Sequence, residues 1–252
     1  MDNKIVVITG ASRGIGKAIA LGLRDAGAYV IGTGSKPESV EWMHEEHGIE
    51  GHAIDVRDRE AMNNLFNGIV RKRKKVHCLI NNAGIADHTM ASWLDDERMT
   101  EVMDINLISV MRCCQAYHKT HRKLGGNIVN MSSIMGVVGG DVSSIYSASK
   151  AAVSMLTKSL AIEWAPYNFR VNALCPGLID TDMLTDLKNN KTIFENEINK
   201  IPMKRMAKPE ELVGAAIFLA SDASSFMTGQ NLVIDGGVTA GWLSNAGIKK
   251  ER

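Results

Sequence analysis

Short apolar runs alternate with longer segments of helical character along the chain. Seven of these runs predict strands: KIVVIT, YVIGT, GHAID, VHCLIN, GNIVNM, RVNALC and NLVID. Helical segments follow Gly14, Pro37, Asp58, Asp95, Ser144 and Pro209. The strand runs lack the apolar–polar alternation of a half-exposed strand, so we expect both faces to be covered. This pattern predicts an α/β fold, a doubly wound parallel sheet with helices on both faces and right-handed crossovers.

Residues 1–252 are predicted to form a single domain, because no Pro/Gly/Ser-rich linker, low-complexity tract or internal repeat divides them. One stretch interrupts the alternation: residues 180–209 are polar, helical in character, and follow the sixth predicted strand. Ligands of parallel sheets bind beyond the carboxyl ends of the strands. We therefore expect residues 180–209 to form a lid over a substrate.

Composition and charge narrow the class of protein only slightly. The 252 residues are 45% hydrophobic and 23% charged, with a formal net charge of +1, which is ordinary for a globular protein. A net charge this small does not attract nucleic acid or an acidic membrane electrostatically, so we expect neither as a partner. The cationic run from Arg71 to Lys75 is interpreted as the solvated end of a helix rather than as a nucleic-acid patch.

Neither the cysteines nor the histidines show metal-ligand spacing, so no metal is expected. The cysteines are interpreted as reduced, buried thiols: Cys78, Cys113, Cys114 and Cys175. His118 and His121 lie three residues apart on a predicted helix without an acidic or thiol partner, and we interpret them as surface residues. The start, MDNKIVVITG, lacks the pattern of a signal peptide, so we expect a cytoplasmic location.

The motif TGASRGIG, residues 9–16, joins the first predicted strand to the first predicted helix. Gly10, Gly14 and Gly16 permit a tight turn and close approach of a pyrophosphate, and the helix N-terminus offers oriented N–H groups. The glycine spacing is G-x-x-x-G-x-G rather than the G-x-G-x-x-G of the usual dinucleotide-binding motif. The alternative to a phosphate-binding loop is a glycine turn that only packs the helix against the strand. The position at the first strand–helix junction favours a dinucleotide site.

The end of the second predicted strand bears on which dinucleotide binds. NAD sites place a carboxylate there for the ribose 2′-hydroxyl, and this carboxylate would repel a 2′-phosphate. Residues 31–36 contain no acid, whereas Arg13, Ser35 and Lys36 could donate hydrogen bonds to a phosphate. NADP(H) is therefore favoured over NAD(H).

The motif YSASK places Tyr146 and Lys150 four residues apart, on the same face of a predicted helix. The small residues between them leave room for a bulky group, although a tyrosine hydroxyl satisfied by a neighbouring lysine is the simpler alternative. A cation within a few ångströms would favour the phenolate and lower the pKa of Tyr146. The pair therefore has the chemistry of a general acid–base.

Several motifs in one order resemble the short-chain dehydrogenase/reductase family over essentially the whole chain. They are TGASRGIG, DV at 55–56, NNAG at 81–84, DINLIS around Asn106, NMSS ending at Ser133, YSASK, PGLIDT at 176–181 and DGG at 235–237. The resemblance implies a Rossmann-like sheet of seven parallel strands. It also implies hydride transfer between NAD(P)(H) and a carbonyl or an alcohol.

The same resemblance assigns four catalytic residues. Tyr146 is implied as the proton donor in reduction and the base in oxidation, and Ser133 as the catalytic serine. Lys150 would hold the nicotinamide ribose and bias Tyr146 electrostatically. Asn106 would kink its helix and anchor a water that relays protons to Lys150.

The implied cofactor contacts come from every motif that follows a strand. They are Gly10, Ser12, Arg13, Gly14, Ile15, Gly16, Ser35, Asp55, Val56, Asn82, Ala83, Gly84, Tyr146, Lys150, Ile179 and Thr181. Asp55 and Val56 would border the adenine, residues 82–84 the adenosine ribose, and Ile179 and Thr181 the carboxamide and phosphate end. Each group also has a purely structural alternative. Asp55 and Val56 could simply end a strand, residues 82–84 could form a glycine turn, and Ile179 and Thr181 could belong to a helix cap.

The sequence leaves the substrate open between 3-oxoacyl thioesters and small sugar acids, polyols or ketones, because the chain resembles reductases of the first and dehydrogenases of the second. The carrier-protein reductases have basic residues where this chain has Leu124 and Tyr167, although Arg122 and Lys123 lie close by. A non-catalytic NADP-binding sensor or scaffold is the alternative from another class. The intact Ser133, Tyr146 and Lys150 set argues against it.

A homotetramer, or less often a dimer, is also implied by the resemblance. The interface would involve the helix bearing Asn106 and the helix bearing Tyr146. One apolar face of the second helix suits either a partner or the sheet: Ala152, Met155, Leu156, Ser159 and Leu160.

Overall fold

The computed structural model describes residues 1–241 and contains a sheet of seven parallel strands in the order β3-β2-β1-β4-β5-β6-β7. The strands are β1 (Ile5–Ile8), β2 (Tyr29–Gly34), β3 (Ile49–Ala53), β4 (Cys78–Asn81), β5 (Gly126–Met131), β6 (Phe169–Pro176) and β7 (Asn231–Ile234). Each predicted strand run therefore forms a strand. The α/β, doubly wound, Rossmann-like fold is confirmed.

Helices cover the two faces of the sheet and enclose two separate cores. The helices are α1 (Gly14–Asp25), α2 (Glu41–Glu45), α3 (Arg59–Arg73), α4 (Asp96–Met103), α5 (Ser109–His121), α6 (Ser144–Trp164), α7 (Thr185–Asn189), α8 (Lys191–Lys200) and α9 (Val213–Ala220). One core packs α3, α5 and α6 on the sheet, and the other packs α1, α2 and α9 on the opposite face. Burial on both faces explains why the central strands are apolar runs without alternation, whereas the edge strands β3 and β7 are only partly buried.

The segment that follows Pro37 is less helical than expected. It forms a 3₁₀ turn, Pro37–Ser39, and the five-residue helix α2, whose one buried side chain is Met43. Helix α3 is closer to the prediction, because the Asp58 carboxylate accepts a hydrogen bond from the Ala61 N–H at its start. The side chains of residues 71–74 at its end are exposed, as expected for a solvated helix terminus.

The expectation that His118 and His121 lie at the surface is wrong for His121, whereas His118 is half-buried. His121 is fully buried, and its Nε2 accepts a hydrogen bond of 2.8 Å from the Val76 N–H. The His118 ring stacks on Trp164 with ring centroids 4.3 Å apart. By contrast, all four cysteines are buried and free, in agreement with the sequence.

The 180–209 segment contains a 3₁₀ turn at Asp182–Leu184 followed by α7 and α8. Its two ends meet, because the Asp180 N–H donates to the Ala207 carbonyl (2.8 Å) and the Ala207 N–H donates to the Leu178 carbonyl (3.1 Å). The segment therefore leaves and rejoins the fold at one place, just beyond the carboxyl end of β6.

Candidate active site

A cavity of about 460 Å³ opens at the carboxyl edge of the sheet, where the strand order reverses between β1 and β4. Parallel α/β sheets bind their ligands at such reversal points. The predicted site residues line this cavity, except Asn106, which lies behind its wall, and Lys36, which is not among the lining residues. Residues after six strands contribute: Gly10 after β1, Ser35 after β2, Asp55 after β3, Asn82 after β4, Ser133 after β5 and Gly177 after β6.

The glycine loop forms a cradle in which added side chains would collide with the protein. Gly10 and Gly14 have positive φ angles of 65° and 55°, a conformation that glycine adopts without penalty. A Cβ on Gly10 would lie 2.8 Å from the Ala83 Cα, and one on Gly16 would lie 2.1 Å from the Gly10 oxygen. The glycines thus bring the start of α1 close to β4, as a pyrophosphate site requires.

The neighbouring β4 loop is fixed to the glycine loop by hydrogen bonds. The Thr9 hydroxyl oxygen accepts the N–H groups of Asn82 and Ala83, both at 3.1 Å. The Asn82 amide nitrogen donates to the Thr9 and Gly10 carbonyls at 3.0 and 2.9 Å. Residues 82 and 83 therefore form one rigid wall of the cavity.

Polar groups at the ends of β2 and β3 suit the adenosine half of a dinucleotide. The Thr33 hydroxyl oxygen is fully buried on the cavity wall and has no hydrogen-bond partner among residues 1–241. Asp55 accepts a 2.6 Å hydrogen bond from Arg57, and this hydrogen bond lowers the pKa of the Asp55 carboxyl. The unpaired hydroxyl and the glycine cradle both fit a bound nicotinamide dinucleotide.

Ser133 and Tyr146 meet at the other end of the cavity, because the turn after β5 packs tightly on α6. A Cβ on Gly136 would lie 2.7 Å from the Lys150 carbonyl carbon, so no side chain separates the two elements. Ser132, which directly precedes Ser133, donates from its hydroxyl to the Lys150 carbonyl at 2.9 Å. Ser132 thus anchors the turn and Ser133 is left facing Tyr146.

Lys150 is buried beside Tyr146. Its ammonium lies 5.8 Å from the centre of the Tyr146 ring and donates a 2.9 Å hydrogen bond to the Met131 carbonyl. Burial lowers the pKa of Lys150 to about 8. The same amino group therefore titrates close to neutral pH.

The expected direction of the Tyr146 shift is reversed in the protein alone. Burial raises the pKa of Tyr146 above its usual value of 10, and hydrogen bonding with Ser133, which lowers it, does not offset the burial. Lys150, whose ammonium lies 5.8 Å from the centre of the Tyr146 ring, does not reverse this shift in pKa. The oxidised nicotinamide ring, when bound, would contribute the positive charge that favours the phenolate.

Asn106 occupies a π-helical segment, Asp104–Ile108, that interrupts the run from α4 to α5. Its side-chain oxygen accepts the Ile85 N–H at 2.9 Å, and its nitrogen donates to the Ile85 carbonyl at 2.9 Å and to the Ser149 hydroxyl at 3.1 Å. A Cβ on Gly84 would lie 3.1 Å from Asn106 Oδ1 and 3.4 Å from Lys150 Nζ. Asn106 and Lys150 therefore converge on Gly84 from behind the cavity wall.

The first turn of the 180–209 segment covers the glycine loop. A Cβ on Gly14 would lie 3.3 Å from Thr181 Cγ2. The Asp182 carboxylate lies 3.9 Å from the Arg13 guanidinium, and both side chains are largely exposed. Met183 and Leu184 line the cavity. Residues 181–184 therefore lie against the glycine loop and line the cavity.

Some cavity residues were not identified from the sequence. They include Thr33, Gly34, Arg57, Ile85, Ala86, His88, Met135, Leu178 and Leu184. Most of them adjoin a motif residue, so widening each motif by a few positions would have found them. Such widening would not have shown that Asp87 is buried away from the cavity wall while His88 is exposed and lines it.

No cluster of three or more His, Cys, Asp and Glu side chains within residues 1–241 is arranged to hold a metal ion. Across that same range, the helices are too short or too polar to cross a membrane.

Comparison with known proteins yields similarity over nearly the whole chain. Residues 10–239 match a family model described as Enoyl-(Acyl carrier protein) reductase. The 3-oxoacyl-(acyl-carrier-protein) reductase FabG of Thermotoga maritima is 37% identical over 94% of this chain and 98% of its own length. The 3alpha-hydroxysteroid dehydrogenase of Mediterraneibacter gnavus is 34% identical over 94% and 97%.

A solved structure agrees with these relatives. The gluconate 5-dehydrogenase of Burkholderia cenocepacia, crystallised in complex with NADP and tartrate, superposes with a TM-score of 0.91 at 30% identity, over 96% of this chain and 97% of that one. The relatives share the fold of this chain, and their names cover acyl thioester, steroid and sugar-acid substrates. The chain belongs to the short-chain dehydrogenase/reductase family.

Proposed function

We propose that this chain is an NADP(H)-preferring oxidoreductase that transfers hydride between the nicotinamide C4 and a carbonyl or secondary alcohol carbon. The observation that carries the proposal is the convergence of Ser133, Tyr146 and Lys150 at one end of a cavity whose other end is a glycine cradle. A binding protein needs the cradle, but it has no use for a proton donor at the far end.

In the reductive direction, the Tyr146 hydroxyl donates its proton to the substrate oxygen as the carbonyl carbon accepts hydride. A bound nicotinamide cofactor supplies that hydride. The Ser133 hydroxyl holds the same oxygen, so that negative charge develops between two donors. The raised pKa of Tyr146 keeps the phenol protonated before the reaction, which suits a general acid. In oxidation the steps reverse, and the tyrosine accepts the proton.

Lys150 and Asn106 have supporting roles in this proposal. Lys150 would bind the nicotinamide ribose, because its ammonium reaches the cavity beside Tyr146. Asn106 fixes Ile85 through two hydrogen bonds and would anchor a water that leads to Lys150. The proton lost from Tyr146 would be replaced through Lys150, whose pKa of about 8 lets it exchange protons near neutral pH.

The preference for NADP(H) rests on the end of β2. Thr33, Gly34 and Ser35 line the cavity there without a carboxylate, and Arg13 lies in the glycine loop beside them. A 2′-phosphate would meet a guanidinium and a hydroxyl rather than a negative charge. The NADP in the Burkholderia gluconate 5-dehydrogenase structure is consistent with this preference.

The catalytic end of the cavity favours a substrate with an apolar body. Its walls include Ile134, Met135, Leu178, Met183 and Leu184. Apolar walls suit an acyl chain or an alicyclic ketone better than a sugar acid, whose hydroxyl groups would lose hydrogen bonds to water.

An acyl-carrier substrate would dock at the junction of α5 and α6. Leu124 is half exposed there. The Arg122 guanidinium donates a 2.8 Å hydrogen bond to the Tyr167 hydroxyl and lies 4.6 Å from the centre of its ring. Arg122 therefore brings a positive charge to the place where the carrier-protein reductases have a basic residue. We propose a 3-oxoacyl thioester as the first substrate to test and a sugar acid or polyol as the second.

The test is the initial rate of NADPH oxidation with acetoacetyl thioester on acyl carrier protein. Tyr146→Phe is the matched blank, and NADH is run alongside. We expect turnover with NADPH that falls by at least a hundredfold in the variant, while NADPH still binds. Wild-type turnover that Tyr146→Phe leaves unchanged would contradict the proposed mechanism. NADPH binding without turnover on a broad panel of carbonyls and alcohols would favour a sensor.

We also propose a cytoplasmic homotetramer. The solvent side of α6 supports an interface, because Ile162 is 80% and Met155 is 60% exposed. Leu160 packs into the core instead, so only part of the predicted apolar face is available. Light scattering of the wild type and of Met155→Glu tests this proposal: a lower mass in the variant supports an interface on α6.

A further inference from the structure

The segment that follows NNAG, residues 85–89, is held by side chains from two helical elements. Asn106 binds both backbone groups of Ile85. Arg98, in the first turn of α4, donates a 2.8 Å hydrogen bond to the Ala86 carbonyl and a 2.7 Å hydrogen bond to the Asp87 carboxylate. The segment is therefore fixed at three consecutive residues.

Asp87 is only 4% exposed and does not line the cavity. Its carboxylate also accepts the Thr89 N–H at 3.0 Å, which makes residues 87–89 an Asx turn. Burial opposes ionisation of this carboxyl, but hydrogen bonds from Arg98 and Thr89 and the Arg98 charge lower its pKa overall. Asp87 is thus a charged anchor that faces away from the cavity.

His88 is the middle residue of this turn. Unlike the buried Asp87, His88 is exposed and lines the cavity. The other residues that the segment contributes to the cavity wall are Ile85 and Ala86, both apolar. The segments that follow β5 and β6 contribute further residues to the cavity wall: the apolar Met135, Leu178, Met183 and Leu184, and the polar Ser132 and Ser133.

From this arrangement we infer that His88 is a specificity-determining residue, which hydrogen-bonds a second oxygen of the substrate remote from the reacting carbon. Asp87 and Arg98 are its positioning residues. The inference rests on the proposed function, because it takes the reacting oxygen to be bound by Ser133 and Tyr146. Imidazole can donate and accept a hydrogen bond, so the preferred substrates are carbonyl or alcohol compounds with an apolar body and one further oxygen function.

The test is a binding measurement that does not require turnover. Two ketones of equal chain length are titrated calorimetrically into the protein saturated with NADP⁺, which cannot reduce them. Ethyl 3-oxobutanoate carries a second oxygen function, whereas heptan-2-one does not. For the wild type we expect the oxo ester to bind about two- to twelvefold more tightly, the range of one hydrogen bond.

Two pairs of variants distinguish a direct role from a structural one. His88→Leu should remove the preference, and His88→Gln, which keeps a donor and an acceptor, should retain part of it. Arg98→Met should also remove the preference, whereas Arg98→Lys should keep some of it because it preserves the charge next to Asp87. NADP⁺ affinity should stay within twofold of wild type in all four, since none of these side chains belongs to the glycine cradle.

Equal wild-type affinity for the two ketones, including no measurable binding of either, would overturn the inference. A preference that survives in His88→Leu would overturn it as well. A preference that depends on His88 in a protein that reduces neither ketone with NADPH would support the inference and count against the proposed function. The two ideas can therefore fail separately.

Discussion

The Lys150 ammonium donates its hydrogen bond to the Met131 carbonyl, 2.9 Å away, at the carboxyl end of β5. This contact holds the ammonium at the cavity wall, 5.8 Å from the centre of the Tyr146 ring. One carbonyl is a weak partner for a buried cation, because no carboxylate neutralises the charge. Lys150 therefore serves the site at a cost to the stability of the fold.

Replacement of Lys150 by Met is expected to stabilise the protein while abolishing turnover. Lowering the pKa from 10.5 to about 8 corresponds to about 3 kcal/mol of unfavourable burial. The variant avoids this cost but loses the hydrogen bond to Met131, which offsets about 1 kcal/mol of the stabilisation. Urea unfolding at pH 7 should therefore show Lys150→Met to be about 2 kcal/mol more stable than wild type.

The pH dependence gives this prediction an internal control. The folded-state pKa of Lys150 is below its unfolded value, so the unfavourable contribution is complete below about pH 8. It disappears as the pH rises towards the unfolded value of 10.5. The advantage of Lys150→Met should therefore shrink between pH 8 and pH 10. A variant that is less stable than wild type at pH 7 would contradict the argument.

The glycine cradle predicts opposite effects for two Gly→Ala substitutions. Gly10 has a φ of 65° and no space for a Cβ, whereas a Cβ on Gly68, inside α3, would meet nothing within 4 Å. Gly10→Ala should cost about 2–4 kcal/mol from left-handed strain and overpacking, with loss of NADPH binding. Gly68→Ala should gain about 0.5–1 kcal/mol. Thermal unfolding and NADPH fluorescence titration of both variants test these two predictions. A Gly10→Ala protein that is stable and binds NADPH would contradict the proposed role of the glycine cradle.

His121 predicts part of the acid sensitivity of the fold. It is fully buried, and burial lowers its pKa from 6.5 to about 4. Because the folded-state value is below the unfolded one, stability should fall as the pH decreases from 6.5 to 4, by about 3 kcal/mol from this residue. His121→Gln can still accept from the Val76 N–H but does not titrate. Urea unfolding from pH 7 to pH 4 should show a shallower loss in the variant, and parallel curves would exclude a role for His121.

The strands were predictable because their burial is encoded locally. The central strands are covered on both faces, so their residues must be apolar whatever the details of the packing, as in Ile5–Ile8. The burial of His121 was not predictable in this way. It depends on a hydrogen bond from the N–H of Val76, 45 residues away in sequence, and no pattern within α5 reveals that contact.

The same difference between local sequence patterns and long-range contacts explains which residues of the candidate site were identified from the sequence. The glycine loop and the YSASK motif were identified because their chemistry is restricted to a few residue types at fixed spacing. His88 was missed, since its direction depends on the anchor between Asp87 and Arg98, eleven residues apart. The pKa of Tyr146 is raised in the protein alone for a related reason: the extent of burial is set by packing, and burial of the phenol outweighs its hydrogen bonding with Ser133.

Ser35→Asp is expected to reverse the preference between the two cofactors. The new carboxylate at the end of β2 would repel a 2′-phosphate and could accept a hydrogen bond from the ribose 2′-hydroxyl of NADH. We expect kcat/KM for NADPH to fall by at least tenfold, because juxtaposed like charges cost more than about 1.4 kcal/mol. The value for NADH should rise or remain unchanged. Ser35→Asn, which has the same shape without the charge, is the control and should retain the preference for NADPH. If Ser35→Asp still prefers NADPH, the 2′-phosphate does not lie beside Ser35.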